Sequence, residues 1–263
     1  MTPPIRLGGM ALGNGVLVHG PRFWACAVRT EGGRLDVASG EKPVRSAGVR
    51  SPLLRGPARV AEALVLLPVV RRALPGARLP FEQARLAAAM AAAALGARSL
   101  RRSRLSALAQ EALAGVLALA PAALALRGST LAAYHGAEHI SIGSYEHGEP
   151  RPREHERCGS HLLGPLLVTT TLGNALAAGV GTTPRERALA RLVVGVGSLA
   201  AAVEVFTWML RHPDHPLSRA LAWPGRELQT RFLTAEPTPA QLEVAQAALG
   251  ECLRLETSVA PRP

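Results

Sequence analysis

The chain has 263 residues, of which 48% are hydrophobic and only 3% are aromatic, and its formal net charge is +11. A water-soluble core of this size would normally contain more phenylalanine and tyrosine, so the composition favours burial of the apolar residues in a membrane. The charge comes almost entirely from scattered arginines that flank apolar runs, and no aromatic residues are interleaved for base stacking. This pattern argues against a nucleic-acid partner and favours contact with anionic membrane lipid.

The cysteines and the N-terminus indicate the compartment. Cys26, Cys158 and Cys252 are far apart and odd in number, so they predict no disulfide framework and a reducing environment. The opening "MTPPIRLGGMALGNG" lacks the charged start and continuous apolar run of a cleavable signal peptide.

Residues 1–50 are predicted to form a small β element. Three strand-like runs, "NGVLVHG", "FWACAVRT" and "RLDVASGE", are separated by the turn signals "GP" and "EGG". Residues 51–80 are predicted to form an interfacial or re-entrant helix, because their apolar core is short for a membrane span and ends at Arg71 and Arg72.

Residues 81–210 are predicted to contain membrane helices, with apolar segments at 86–97, 105–126, 162–181 and 188–210. The first is marginal in length, and the others approach the roughly 20 residues that cross a bilayer core. The last two segments predict a helical hairpin whose small residues suit close packing in lipid, with a buried soluble hairpin as the alternative.

Residues 211–263 are predicted to form cytoplasmic helices, including one with Thr238 as N-cap and an apolar stripe that contains Cys252. With four spans and both termini inside, 23 of the 30 Lys and Arg residues fall on the inner side and seven on the other. The chain is therefore predicted to be a mainly α, polytopic membrane bundle with a cytoplasmic loop at 128–161. The oligomeric state is left open.

The stretch "YHGAEH" carries the clearest chemical signal. His135 and His139 are four residues apart, so a helix presents both imidazoles on one face, where they can share a metal ion. Glu138 lies on roughly the same side. The order H-x-x-E-H is that of inverted zinc peptidases, in which the glutamate is the general base.

Further ligands are expected from the same loop and from the last apolar segment. His155 and Cys158 have the spacing of paired zinc ligands, and Glu204 is a carboxylate inside an apolar segment, with an ion pair to an arginine as the alternative. Four protein ligands would make a closed structural site, whereas three would leave a catalytic position. Tyr134 and Glu146 are candidates for orienting the ligating histidines, and His147 and His161 are weaker substitute ligands.

The blocks "GGMALGNGVLVHGPRFWACAVR", "YHGAEHISIGSYEHG", "HERCG" and "RHPDHPL" occur in the order seen in the YqhQ-like family, which this sequence resembles. Those proteins are bacterial membrane proteins described as predicted metal-dependent enzymes. The resemblance implies a membrane location and a metal site at the motif residues, and it implies no substrate.

The expected function is that of a zinc-dependent membrane enzyme with hydrolase chemistry at the cytoplasmic face. A peptide bond or a lipid-linked ester would be the substrate. The alternative is a membrane scaffold in which the metal is structural.

Overall fold

The N-terminal region forms one antiparallel sheet. The computed structural model describes residues 4–80, 82, 84–177, 180–181 and 183–258, so parts of the predicted segments 1–50, 81–210 and 211–263 lie outside the described residues. The sheet has the order β1-β2-β3-β4, with strands Gly8–Leu12, Gly15–His19, Phe23–Arg29 and Leu35–Glu41. The predicted β element is thereby confirmed. Strand β1, the run "GGMAL", was missing from the predicted strands because two glycines weaken its signal, and it forms by pairing with β2.

The rest of the described chain is mainly helical. Its helices are α1 Pro52–Ala73, α2 Ala84–Leu100, α3 Ala107–Leu126, α4 Thr130–His147, α5 Leu163–Ala177, α6 Pro184–Arg211, α7 Pro216–Leu228 and α8 Pro239–Ser258. Short 3-10 turns lie at Ser46–Gly48 and Gly159–Leu162, and a π turn at Gln229–Leu233 follows α7.

Both faces of the sheet are buried. Val16 and Val18 pack with α4 and α8, whereas Leu17 and Cys26 face α1 on the other side. This explains why the run "GVLVH" is continuously apolar instead of alternating. Cys252, predicted as a core residue of α8, is fully buried against this sheet, so α8 belongs to the N-terminal layer and does not form a separate tail.

Helices α2, α3, α5 and α6 form a bundle beside this layer. The predicted hairpin of the last two apolar segments is confirmed by reciprocal hydrogen bonds: Thr169 Oγ1 donates to Ser198 O (3.0 Å), and Ser198 Oγ donates to Thr169 O (3.1 Å). Helix α1 packs against α6 where Gly56 approaches Val203.

Among the described residues, one helix is long and apolar enough to cross a membrane, Arg185–Arg211, judged by length and composition. Only 22% of its apolar window is buried. The apolar helices Leu86–Leu100 and Ala107–Pro121 are shorter, and α5 has 15 residues. The four spans expected from sequence are therefore not confirmed, because one helix among the described residues meets the length and composition of a span.

A buried ion pair joins the sheet to α1. Lys42, the single lysine of the chain, is 6% exposed, and its ammonium contacts the Glu62 carboxylate, which also accepts the Ser46 amide. Burial alone would raise the pKa of Glu62, but the hydrogen bonds from Lys42 and Ser46 outweigh it and lower that pKa. The pair stabilises the folded chain when Glu62 is ionised.

Substitution of Lys42 by Met is expected to lower the free energy of unfolding by about 3–5 kcal/mol at neutral pH, because Glu62 is left as an unpaired buried charge. The double variant Lys42→Met/Glu62→Leu should recover most of this loss. Since the pKa of Glu62 is lowered in the folded state, the contribution of the pair is lost as the pH falls through the acid range. Denaturant unfolding of the three proteins measures the effect, and a double variant as unstable as the single one would contradict it.

Candidate metal centre

Helix α4 carries the histidine motif into the junction between the sheet and the following loop. It begins after Ser129, whose hydroxyl accepts the Ala132 amide (3.2 Å), and it ends at Gly148, whose φ of +70° favours glycine. The helix is regular through the motif, so His135, Glu138 and His139 share one face, as predicted. That face meets β1 and residues 155–160.

The structure brings together two of the predicted histidines and the predicted cysteine. His135, His139 and Cys158 each offer a ligand atom, and these three atoms lie within 4.8 Å of one another. Nε2 of His135 is 3.6 Å from the Cys158 sulfur, and the two imidazole rings are 4.3 Å apart between centroids. Three ligand atoms at such separations can converge on one ion.

Backbone carbonyls fix the tautomers of the two imidazoles. Nδ1 of His135 is 2.8 Å from Leu233 O, and Nδ1 of His139 is 2.6 Å from Arg153 O. A carbonyl oxygen only accepts, so each Nδ1 carries a proton, and in the neutral imidazole each Nε2 has the lone pair. Metal-binding histidines have this arrangement, and two imidazoles with a thiolate are a donor set that suits zinc.

His155 lies beside the three donors and outside their group. Its ring centroid is 5.5 Å from that of His139, and its Nδ1 accepts the Arg157 amide (3.2 Å). Its buried Nε2 is 3.3 Å from the Glu146 carboxylate, without the geometry of a hydrogen bond. Burial would raise the pKa of Glu146, but the His155 imidazole and the Arg157 guanidinium lower it. Glu146 thus lies beside the imidazole of His155, and its role in orienting a metal ligand stays a prediction.

The remaining predicted residues are placed elsewhere. Glu204 forms an ion pair with Arg55 of α1, the alternative that its position in α6 had allowed. Tyr134 packs in the hydrophobic core between the sheet and α8. His147 Nδ1 bonds Gly143 O (2.9 Å), and burial lowers the pKa of His161, whose Nδ1 lies 3.1 Å from Gln229 Nε2.

Glu138 is buried next to the ligand group. It is 6% exposed, and burial raises its pKa, while His135 and His155 oppose that rise. A Cβ atom on Gly9 of β1 would lie 2.3 Å from Oε1 of Glu138, so the strand backbone packs directly over the carboxylate. The absence of a side chain at Gly9 therefore leaves the space that the Glu138 carboxylate occupies.

A cavity of about 470 Å³ opens beside the ligand group. Its polar wall includes His19, His135, Glu138, His139 and Cys158. The rest of the lining is mostly apolar and comes from β1 and the residue before it, the end of α3 and the face of α4: Leu7, Met10, Ala11, Leu126, Leu131 and Ile142. The three donors thus face an accessible space.

The π turn Gln229–Leu233 contacts both the loop that carries Cys158 and the histidine helix, and no sequence pattern predicts it. Gln229 is 1% exposed; its Nε2 donates to Ser160 Oγ (2.6 Å) and His155 O (3.2 Å), and its Oε1 accepts the His155 amide (3.0 Å). The backbone carbonyl of Leu233, the last residue of the same turn, accepts the hydrogen bond from His135 Nδ1. One turn therefore fixes both the loop that carries Cys158 and the first histidine.

Substitution of Gly9 by Ala is expected to destabilise the protein by about 1–3 kcal/mol, because the new methyl group and the Glu138 carboxylate occupy the same space. Gly32→Ala is the matched control, since a Cβ at Gly32 meets nothing within 4 Å. Denaturant unfolding of both variants measures the difference.

A double-mutant cycle tests whether the destabilisation by Gly9→Ala comes from contact with the Glu138 carboxylate. Removal of the carboxylate in Gly9→Ala/Glu138→Ala should relieve it, so that the two substitutions together cost less than their sum by about 0.5–3 kcal/mol. Strict additivity would show that Gly9 and Glu138 are not in contact.

Comparisons with known proteins match the chain to a family model and to a curated relative. Residues 129–255 match the family model described as "Protein of unknown function (DUF1385)". The chain is also 35% identical over 132 residues to a protein of Bacillus subtilis (strain 168) described as "Uncharacterized protein YqhQ". That match covers 47% of this chain and 40% of the relative's length. No solved structure matches the chain significantly. The matched residues 129–255 contain all three donors, and through them the chain is similar to the DUF1385 family and to the YqhQ protein.

Proposed function

We propose that the protein is a zinc-dependent membrane hydrolase whose ion is held by His135, His139 and Cys158. The observation that carries the proposal is the pair of carbonyl-bound imidazoles that leave two Nε2 lone pairs beside a sulfur and next to a cavity. Residues that merely filled a core would not need both tautomers fixed in this way.

Three protein ligands support an enzyme more than a structural site. His155 is the nearest candidate for a fourth ligand, but it lies outside the group of three converging donor atoms, with its Nδ1 on the Arg157 amide and its Nε2 3.3 Å from the Glu146 carboxylate. A three-ligand set leaves a position for water or substrate, as in catalytic zinc sites. The alternative, a membrane scaffold with a closed structural site, would require the His155 ring to turn inward.

The residues around the site have distinct roles in this proposal. When bound, the ion supplies Lewis-acid chemistry that polarises a carbonyl or phosphoryl oxygen and activates water. Glu138 accepts the proton from the attacking water at a carboxylate oxygen, held in place by the backbone of Gly9. Leu233 and Arg153 keep the imidazoles oriented through their carbonyl oxygens.

The shape and lining of the cavity favour a lipid-linked substrate over a peptide. Its walls are mostly apolar side chains, such as Leu126, Leu131 and Ile142, and they lie in one cavity with the three donors and Glu138. An acyl chain would occupy the apolar part while an ester or phosphoester reaches the metal. A peptide would need more partners for its backbone groups than these walls offer.

We further propose that the chain is a multi-pass protein of the cell membrane, with the termini and the metal loop on the cytoplasmic side. Helix α6 is long and apolar yet mostly exposed, and exposed aliphatic side chains also mark α2, α3 and α5, including Leu95, Val116, Leu172 and Leu176. Exposed apolar surface on this scale favours contact with lipid. The arginine distribution along the chain favours this orientation.

Replacement of the ion by Co(II) tests whether a coordination position is open. We expect the full-length protein in detergent to bind one equivalent and to show a sulfur-to-cobalt charge-transfer band that Cys158→Ser abolishes. Added azide or thiocyanate should change the d–d spectrum, because an open position can exchange. A spectrum unaffected by these anions, and altered by His155→Ala, would instead identify a closed four-ligand site.

Substitution of Glu138 by Gln is expected to reduce hydrolysis of long-chain acyl esters by about 10²–10⁴-fold while the zinc content is unchanged. The control is Glu149→Gln, an exposed glutamate at the end of the same region. Turnover of glycerolipid esters, followed by release of fatty acid, and elemental analysis measure the two effects. Undiminished turnover in Glu138→Gln would remove its role as the proton acceptor.

Substitution of Gln229 by Met is expected to weaken zinc binding by about 10–100-fold, because the loop that carries Cys158 loses its hydrogen bonds. Gln241→Met at the start of α8 is the control. Competition with a zinc chelator gives both affinities. Equal affinities for the two variants would show that the π turn does not position the donors.

A further inference from the structure

A cluster of arginines forms a concavity at one end of the helix bundle. The turn that ends α2 contributes Arg98, Arg101 and Arg102, and the first turns of α6 contribute Arg187 and Arg191. All five are exposed, and they surround a depression of about 760 Å³. Among the described residues that line it, the only one besides these arginines is Ala188.

This arginine cluster lies far from the candidate metal centre. Helix α3 begins beside the cluster, where Glu111 pairs with Arg101 (2.6 Å), and it ends at Leu126, which lines the metal-site cavity. Its 20 residues correspond to roughly 30 Å, close to the thickness of a bilayer's hydrocarbon core. The cluster is therefore a separate site at the far end of the bundle.

The charge of the cluster is poorly balanced. The Glu111 carboxylate accepts hydrogen bonds from the Arg101 guanidinium and from Asn174 Nδ2 (3.0 Å). It also interacts electrostatically with Arg191. Glu111 thus pairs with Arg101, whereas Arg98, Arg102 and Arg191 form no salt bridge within the described part of the chain. Like charges held this close repel one another, and an anion bound among them would lower that repulsion.

The chemistry of the cluster favours a phosphate group. Guanidinium groups are permanently charged and bind phosphate oxygens in a bidentate manner. Large aliphatic side chains lie exposed on the same two helices and in the connection after α2: Leu95, Leu189, Leu192 and Leu105. A soluble phosphate compound would leave these side chains in water, whereas a phospholipid covers them with its acyl chains. No aromatic residue lines the described cavity, so it lacks the stacking surface that binds single-stranded nucleic acid.

We propose that the arginine cluster binds the phosphate headgroup of an anionic phospholipid. Arg98, Arg102 and Arg191 bind the phosphate oxygens, and the neighbouring leucines contact the acyl chains. This inference depends on the proposed membrane location but not on the metal centre, so the two can fail independently.

The test compares lipid binding by two triple variants of the full-length protein in uncharged detergent. Arg98→Gln/Arg102→Gln/Arg191→Gln removes three charges from the cluster and keeps Arg101 on Glu111. Arg50→Gln/Arg59→Gln/Arg72→Gln removes the same charge from exposed positions before and along α1. Native mass spectrometry gives the apparent affinity for phosphatidylglycerol and for phosphatidylcholine, and thermal unfolding without lipid confirms that each variant is folded.

The wild-type protein should prefer phosphatidylglycerol to phosphatidylcholine, and the cluster variant should lose at least about tenfold in phosphatidylglycerol affinity while the α1 variant stays within about twofold. Equal losses in both variants would indicate general charge attraction and would overturn the proposal. Binding of glycerol phosphate as tightly as the lipid, or tighter binding of a single-stranded oligonucleotide, would also overturn it by assigning the cluster to a soluble phosphate or to nucleic acid. Zinc content measured on the same samples reports separately on the metal centre.

Discussion

Two hydrogen bonds from imidazole Nδ1 atoms to backbone carbonyls determine what the site can do. They select the tautomers of His135 and His139 that carry the ring proton on Nδ1. The Nε2 atoms, of which that of His135 lies next to the Cys158 sulfur, are then the electron-pair donors of the neutral rings. Both carbonyls come from outside α4, one from the π turn after α7 and one from the loop before Cys158. The donor group therefore depends on packing between distant parts of the chain, and it cannot exist in the isolated helix.

The histidine motif also depends on close backbone packing from other parts of the chain, which two glycines permit. Strand β1 lies over Glu138 at Gly9, and Ala235 O would lie 2.2 Å from a Cβ at Gly136, inside the histidine motif. The glycine that weakens the helix by its propensity thus allows the C-terminal segment to pack against it. Gln229 then bonds the loop of Cys158 from the other side.

Sequence patterns predicted the parts of this structure that depend on local chemistry. The H-x-x-E-H spacing, the proximity of Cys158 and the helical hairpin of α5 and α6 follow from periodicity and composition. The roles of Gln229 and Leu233 could not be predicted, because a buried glutamine and a backbone carbonyl acquire a function only through contacts about 70–100 positions away in the chain. Glu204 illustrates the converse, since its carboxylate in an apolar segment was equally compatible with a ligand and with its ion pair to Arg55. The membrane spans were predicted from apolar length alone, and among the described helices Arg185–Arg211 meets the length and composition of a span.

The zinc environment of the purified full-length protein tests the central claim most directly. X-ray absorption at the zinc edge, on protein isolated without chelators, should show one ion per chain with a single sulfur neighbour at about 2.3 Å and nitrogen or oxygen neighbours at about 2.0–2.1 Å. The single sulfur should disappear in Cys158→Ser, while Cys26→Ser and Cys252→Ser leave it unchanged. Protein that contains no stoichiometric metal, or an ion with no sulfur neighbour, would contradict the assignment of His135, His139 and Cys158 as a metal centre.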